Sequence, residues 1–279
     1  MKYIVKPEIT VDTVLRACIS NLTDVALRDE YNATVRILTR HETVLESKIR
    51  SLELHTIPQN IEISPIANEA ALKKLYTDKL SKKGQLAREI YDDIMILAPN
   101  EKCPYCNHRP ADTLDHFLPK ANFPIYSITP INLLPACTQC NKGKLVSIPT
   151  RASEHTLHPY FDNIEGIQWL ECEIIQLKKI KFEFRVKRLP HIEALLRRRI
   201  EHHFTSYGLN ALYKSQASSE FMNIESQITR IFNRKGKDEL KEFLDEAYLS
   251  RAEVDINSWQ AAFYKALYSN EDFLDGKFI

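Results

Sequence analysis

The sequence predicts a mixed α+β protein in which helices predominate. From about residue 11 to residue 97, apolar residues recur at spacings of three and four, which is the period of amphipathic helices. The helical pattern then stops in a stretch rich in proline and polar turns, residues 101–151. Two segments in which apolar and charged residues alternate follow this stretch, and such alternation is typical of strands.

This order of patterns predicts three regions. Residues 1–100 form a helical N-terminal arm, whose helices are interrupted at the sequences TIPQNIEISPI and SKKG. Residues 101–160 form a small core without long helices. Residues 161–279 begin with a strand pair, in which Phe182 and Phe184 alternate with charged residues, and continue as a helical C-terminal region.

Length, composition and charge exclude several classes of protein. The chain has 279 residues, of which 44% are hydrophobic and 27% are charged, so it can bury a substantial core. A formal net charge of +1 is too small for a protein that coats nucleic acid without selection, so any nucleic-acid site must be a local patch. No apolar run is long enough to span a bilayer, and the opening MKYIVKPEIT does not resemble a secretory signal. We therefore expect a cytoplasmic protein without a membrane partner.

Four of the six cysteines form two CxxC pairs. The first pair is separated from the second by thirty residues, 107–136, and the pairs are Cys103 with Cys106 and Cys137 with Cys140. In a chain without an export signal, such pairs are more typical of a metal site than of disulfides. Four thiolates complete the tetrahedral coordination of Zn²⁺ and leave no position for water or substrate. The prediction is therefore a structural zinc ion and not a catalytic one.

Polar residues suited to catalysis lie between and beside the two pairs. Asp115 directly precedes His116 in TLDHFLPK, where a short strand is expected, and Asn141 directly follows the second pair. Carboxylate and amide oxygens are ligands that hard divalent cations accept, so Asp115 and Asn141 are a candidate Mg²⁺ pair. By itself, an Asp-His doublet is more often a surface pair or a capped turn. Lys142 and Lys144 are expected to begin a helix that holds phosphate.

The sequences LDHFLPK, NLLP and CNKGK, framed by the two CxxC pairs, resemble an HNH endonuclease of the ββα-metal type with an embedded zinc site. The resemblance covers roughly residues 101–151 and is carried by the combination of motifs. It implies that His116 is the general base and that Asn132 braces the loop between two strands. It further implies that Asp115 and Asn141 bind a catalytic Mg²⁺ or Mn²⁺ ion, asparagine being a variant that the family accepts in the last position. The implied reaction is hydrolysis of a phosphodiester bond, which leaves a 5′-phosphate and a 3′-hydroxyl.

A longer resemblance concerns the order of the helical arm, CPYC, LDHFLPK and LHPYFDN before a strand pair. This order is similar to that of the PtuB family, the HNH nuclease subunits of Septu-type and retron-associated antiphage systems. In those systems the nuclease works with an ABC-type ATPase, PtuA. The resemblance implies an effector nuclease whose ATPase partner is a separate chain, because this sequence contains no GxxxxGK[ST] phosphate-binding loop.

The residues also leave a second class of function open, a zinc-stapled module that binds nucleic acid or a partner without cleavage. The set Asp115, His116 and Asn141 favours the nuclease, since a binding module has no use for a base beside a hard-metal pair. Arg198 and His202 fall on one face of a predicted helix and could line a nucleic-acid groove. Charged helix faces are usually solvated, so this groove is an alternative to ordinary surface.

Overall fold

The computed structural model describes residues 1–144 and 148–279. These residues form a mixed α+β structure that is mainly helical and contains two small antiparallel strand pairs, which confirms the predicted fold class at this level. The chain divides into two compact units, Met1–Asn163 and Ile164–Ile279. The predicted regions 1–100 and 101–160 both lie in the first unit.

The first unit combines the helical arm with one strand pair. Its elements are α1 (Val11–Ile19), α2 (Val25–Arg50), α3 (Glu69–Lys74), α4 (Arg88–Met95), β1 (Thr113–His116), β2 (Leu133–Ala136) and α5 (Thr138–Gly143). Thr10, Asp24 and Asn68 precede the first three helices, and each side-chain oxygen accepts a hydrogen bond from a backbone N–H of the first turn. A π-helical segment, Leu75–Leu80, continues α3. Helices α1, α2 and α3 therefore begin where the sequence supplies a capping residue, whereas α4 follows Ala87, which has no side-chain cap.

Helix α1 shows how the periodic sequence produces packing. Its buried residues include Val11, Val14, Leu15 and Cys18, at the three- and four-residue spacing of the sequence. This face packs against α2. Full burial of a valine or leucine side chain stabilises a fold by about 1.5–3 kcal/mol relative to exposure, so one such face contributes substantially to the first unit.

Strands β1 and β2 pair antiparallel, and the helical arm holds the other edge of β1. The Leu114 N–H donates to the Tyr91 hydroxyl at 3.2 Å, and the Tyr76 hydroxyl donates to the Leu114 carbonyl at 3.3 Å. A two-stranded sheet is marginally stable alone, so these contacts from the arm support it. Helix α5 begins two residues after β2, which gives the order strand, strand, helix.

The second unit is a hairpin packed against helices. Its elements are β3 (Leu170–Gln176), β4 (Lys181–Val186), α6 (Ala194–Ser206), α7 (Leu209–Lys235), α8 (Lys237–Val254), α9 (Trp259–Tyr268) and α10 (Glu271–Leu274). The two strands form the predicted pair, and the structure shows that they run antiparallel, with Cys172 opposite Phe184. Phe182 contacts the rings of Phe221 in α7 and Phe263 in α9. No helix in the described part of the chain is both long and apolar enough to cross a bilayer.

Candidate metal centre and catalytic pocket

The cysteines of the two CxxC pairs form one buried cluster in the first unit. Their sulfur atoms all lie within 4.8 Å of one another, and the cluster consists of Cys103, Cys106, Cys137 and Cys140. A tetrahedral zinc ion with Zn–S bonds of about 2.3 Å requires sulfur–sulfur distances of roughly 3.8 Å, so small side-chain shifts would fit the ion. The cluster could therefore bind a structural metal such as zinc.

Each cysteine pair is held by its own backbone. The Asn107 N–H donates to the Cys103 carbonyl at 2.7 Å, and the Cys103 N–H donates to the Arg109 carbonyl at 2.9 Å. At the second pair, Cys137 caps α5, and its sulfur accepts a hydrogen bond from the Cys140 N–H at 3.3 Å. Each pair therefore has hydrogen bonds within its own segment that orient its two sulfurs.

The pKa values of the four cysteines are shifted in different directions by hydrogen bonds within the cluster. Hydrogen bonds from Cys103 lower the pKa of Cys137 to about 6 and also lower the pKa of Cys106. The pKa values of Cys103 and Cys140 are raised, because hydrogen bonds within the cluster hold their protons. A metal ion would replace these protons, since it binds thiolates and not thiols.

A pocket of about 490 Å³ beside β1 brings together three predicted catalytic residues. Asp115, His116 and Asn141 all line it. Neighbours on a strand normally point to opposite faces, yet Asp115 and His116 both contribute to this wall. Both side chains are buried. Asn132 is not among the described residues that line the pocket.

A backbone carbonyl orients the imidazole of His116. Its Nε2 lies 2.9 Å from the Ser127 carbonyl oxygen. Because a carbonyl can only accept, we assign the hydrogen to Nε2 and the lone pair of the neutral ring to Nδ1. The Tyr76 ring packs edge-on against the imidazole, with 4.4 Å between ring centroids. Burial lowers the pKa of His116 to about 3, so the ring is neutral at ordinary pH.

Two side-chain donors hold the carboxylate of Asp115. The Tyr105 hydroxyl donates to Oδ2 at 2.9 Å, and Lys144 Nζ donates to the same oxygen at 3.2 Å. Burial raises the pKa of Asp115, and the charge of Lys144 opposes that rise. Tyr105 lies within the first CxxC pair, so a single side chain joins the cysteine cluster to Asp115.

The lysines after the second CxxC pair differ from the prediction. Helix α5 begins at Thr138, where Cys137 caps it, so Lys142 lies in its last turn and Lys144 follows it. The expected helix start was wrong because the cap lies before the lysines, and residues 145–147 lie outside the described part. Lys142 is exposed on the pocket wall, whereas Lys144 is buried with its ammonium group paired to a carboxylate. Lys144 therefore does not present its charge to solvent phosphate.

Asn132 bridges the loop that connects β1 with β2. Its Oδ1 accepts from the Leu118 N–H at 2.7 Å, and its Nδ2 donates to the carbonyls of Leu118 at 3.1 Å and Tyr126 at 3.2 Å. The Phe117 N–H donates to the Asn132 carbonyl at 2.8 Å. The same loop carries Ser127, whose carbonyl orients the imidazole. Asn132 thus acts on the pocket through the loop and not by direct contact.

The pocket wall carries more positive than negative charge. Lys120, Lys142 and Lys144 line it, and Asp115 is its one carboxylate among the described lining residues. Lys120 Nζ lies 4.4 Å from the centre of the Tyr76 ring, and burial lowers the pKa of Lys120. Sequence reasoning missed both residues: Lys120 ends the LDHFLPK motif, but Tyr76 comes from the helical arm, where no local signal marks it. The surplus of positive charge suits a phosphate ligand.

The three consecutive arginines of the second unit, Arg197 to Arg199, differ in their surroundings. Arg197 and Arg198 line a cleft of about 420 Å³ together with Lys187 and Arg188, and two glutamates also line it. Arg199 is buried. Converging lysine and arginine side chains suit the phosphate backbone of a nucleic acid. We refer to Lys187, Arg188, Arg197 and Arg198 as the basic cleft.

No family model matches the chain, and no solved structure matches it. The chain is similar to "Protein ea31" of Escherichia phage lambda, with 24% identity over 296 aligned positions that cover 99% of this chain and 100% of that relative. The similarity therefore extends through both compact units. The name of the relative states no activity, so the chemistry of the pocket has to supply the functional conclusion.

Proposed function

We propose that the protein is a metal-dependent HNH endonuclease that hydrolyses phosphodiester bonds of nucleic acid. The main support is that Asp115, His116 and Asn141 line one pocket. The strand, strand, helix order of β1, β2 and α5 adds support, because it is the order that the ββα-metal type is named for. The cysteine cluster beside the pocket would bind the structural zinc.

In this proposal His116 is the general base. Its Nδ1 carries the lone pair and would accept a proton from the attacking water, while the Ser127 carbonyl stabilises the imidazolium through Nε2–H. General-base catalysis of this kind contributes about 10²- to 10⁴-fold to a rate. Asn132 is a positioning residue in this scheme, because it fixes the loop that carries Ser127.

Asp115 and Asn141 would hold the Mg²⁺ or Mn²⁺ ion. One carboxylate and one amide oxygen fit this ion, because the pocket leaves room for the water and phosphate oxygens that Mg²⁺ usually retains. When bound, such an ion neutralises charge at the phosphoryl group and at the leaving oxygen. Lys120 and Lys142 would donate to phosphate oxygens from the same wall.

A second candidate is a zinc-stapled module that binds nucleic acid without cleaving it. The ion pair of Asp115 and Lys144 favours this candidate, since a carboxylate that a lysine neutralises needs no metal ion. The basic cleft would contact phosphate groups in either case. Cleavage is therefore the property that separates the two candidates.

The test uses zinc-loaded full-length protein with plasmid DNA, single-stranded DNA and total cellular RNA, in Mg²⁺ or Mn²⁺. Wild-type protein is expected to cut, and His116→Ala is expected to cut about 10²- to 10⁴-fold more slowly with unchanged zinc content. His191→Ala removes an exposed histidine of the second unit and is the matched control, which should keep the wild-type rate. Cleavage that survives His116→Ala would overturn the assignment of the base.

The resemblance to the PtuB family leads us to propose an ABC-type ATPase as partner and antiphage defence as the setting. If the purified protein does not cut alone, the assay is repeated with ATP and an ABC-type ATPase encoded beside its gene. Cutting only in the presence of the ATPase would support this partner. No cutting in either assay, together with retained nucleic-acid binding, would support the second candidate.

A further inference from the structure

Lys144 is a buried cation surrounded by oxygen atoms of β1 and its continuation. Its Nζ lies 3.2 Å from Asp115 Oδ2 and 3.0 Å from the His116 carbonyl oxygen, and it also donates to the Phe117 carbonyl. An ammonium group has three N–H donors, and these three oxygens use all of them. The side chains of Lys144 and Asp115 are only 8% and 5% exposed. The ammonium group is therefore fully satisfied inside the protein.

The oxygens around Lys144 Nζ are of the kind that a hard metal ion binds. One carboxylate and two backbone carbonyls are typical ligands of such ions. Asp115 is also the only carboxylate among the described residues that line the pocket. Among these residues, a metal ion in the pocket can therefore bind a carboxylate only at Asp115. A divalent ion on Asp115 would place two further positive charges near a buried ammonium group, where solvent screens repulsion weakly.

We propose that the ammonium group of Lys144 and a divalent ion compete for Asp115. In the resting protein Lys144 neutralises the carboxylate, and Mg²⁺ or Mn²⁺ binds there only when Lys144 withdraws. This inference rests on the proposed function, because it concerns the ion that the nuclease would use. Withdrawal requires rotation of one side chain, since Lys144 lies after the last turn of α5 and itself lines the pocket.

A purely structural ion pair would behave differently. If Lys144 only stabilised the fold, its removal would leave a buried carboxylate that takes up a proton, and the affinity for divalent ions would not rise. Competition predicts the opposite, because removal of the ammonium group frees Asp115 for the ion. The binding of the metal ion itself therefore separates the two roles, without any measurement of cleavage.

The first experiment measures Mn²⁺ affinity by electron paramagnetic resonance on zinc-loaded full-length protein. Lys144→Met keeps the length of the side chain and removes its charge, and it should bind Mn²⁺ roughly tenfold or more tightly than wild type. Lys142→Met is the matched control, since Lys142 is exposed on the same wall and lacks the contact with Asp115. Its affinity should change by less than about threefold, because solvent screens that charge. Adding Asp115→Asn to Lys144→Met should abolish the gain.

The outcomes separate this inference from the proposed function. Equal Mn²⁺ affinity in wild type and Lys144→Met would overturn the competition and leave the metal-dependent nuclease standing. A lack of Mn²⁺ binding in both proteins would overturn the competition and the metal-dependent function together. An equal gain in Lys142→Met would show a general effect of pocket charge, and it would also overturn the competition at Asp115.

A second experiment needs only wild-type protein, since Lys144→Met buries an unpaired carboxylate and can fail to fold. The protein is labelled with an amine-reactive reagent, and the modified lysines are identified by mass spectrometry. Lys144 should be protected without Mn²⁺ and become reactive over the concentration range in which Mn²⁺ binds, while Lys142 reacts throughout. Protection of Lys144 that persists at saturating Mn²⁺ would overturn the proposal.

Discussion

The cysteine cluster and the Asp115 pocket lie in the same unit, joined by Tyr105, yet they are assembled in different ways. The cluster consists of two short segments, and a local turn or helix cap orients both sulfurs of each segment. The pocket takes its wall from β1, the loop after it, the end of α5 and the helical arm. The arrangement of the four cysteines therefore follows from their spacing in the sequence. The arrangement of the pocket residues depends instead on packing between segments that are distant in the sequence.

The two regions also differ in how their charges are balanced. In the cluster, four like groups converge and shift one another's pKa values, and a metal ion would resolve this crowding. In the pocket, Asp115 already has an internal counter-charge in Lys144. If the proposed function is right, the cluster contributes stability through a bound zinc ion and the pocket carries out the reaction. Substitutions in the two regions should then affect different properties.

The largest effect is expected from Cys137→Ser. The change removes a proposed zinc ligand and the sulfur that caps α5, and structural zinc contributes on the order of 10 kcal/mol to small zinc domains. We expect loss of bound zinc and loss of hydrogen-exchange protection in β1 and β2. Cys172→Ser, which alters a buried lone cysteine of the second unit, should keep the zinc. Full zinc content in Cys137→Ser would refute the structural role of the cluster.

The next largest effect is expected from Asn132→Ala. The change removes three buried hydrogen bonds that hold the loop between β1 and β2, so the free energy of unfolding should fall by about 2–4 kcal/mol. Zinc content should not change, because the loop lies outside the cysteine segments. Urea unfolding measures the loss, with Asn122→Ala as control, whose partner is the Gln59 side chain. A similar loss in both variants would mean that the hydrogen bonds of Asn132 stabilise the loop no more than an ordinary side-chain hydrogen bond does.

Features with a local signal could be predicted from the sequence. The arm helices follow from apolar spacing, and three of them, α1 to α3, begin after capping residues. The strand pair of the second unit follows from alternation around Phe182 and Phe184. The four cysteines could be grouped from spacing alone because each CxxC pair forms its own turn. The roles of Asp115, His116 and Asn141 were also proposed from motifs, and these roles stay predictions.

Features that depend on long-range packing could not be predicted. The hydroxyls of Tyr76 and Tyr91 bond to Leu114 across 38 and 23 residues, and no periodic pattern records such pairs. The position of Lys144 was mispredicted because the cap at Cys137 starts α5 early and brings the lysine to the C-terminal end. An ammonium group buried among strand oxygens has no sequence signature of its own.

Tyr105→Phe tests the link between the two regions. The change removes the hydroxyl that donates to Asp115 Oδ2 and should leave the zinc in place. A hydrogen bond to a charged acceptor is worth about 1.5–3 kcal/mol, and the Tyr105 bond also lowers the pKa of Asp115, so stability should fall by about that amount. Tyr160→Phe is the matched comparison, because its buried hydroxyl donates to the neutral Leu133 carbonyl and should cost only about 0.5–1.5 kcal/mol. Equal losses would indicate that Asp115 is uncharged in the folded protein.

The smallest effect concerns the pH dependence of stability at His116. Burial lowers the pKa of His116 from 6.5 to about 3, so the folded protein keeps the ring neutral while the unfolded chain takes up a proton below pH 6.5. Because the unfolded state binds more protons in that window, the stability is fully present above pH 6.5. It is lost as the pH falls from 6.5 towards about 3, by about 1.4 kcal/mol per pH unit.

The measurement compares wild type with His116→Gln, which removes the titrating ring. The free energy of unfolding is determined by urea at about pH 7.5 and about pH 5.5, and wild type should lose about 1.4 kcal/mol more than the variant. Zinc content is checked at both values, since acid also releases zinc from thiolates. An equal loss in both proteins would mean that the imidazole accepts a proton in the folded state. The pKa of His116 would then lie near its ordinary value of 6.5, and burial would not be what keeps the proposed base neutral.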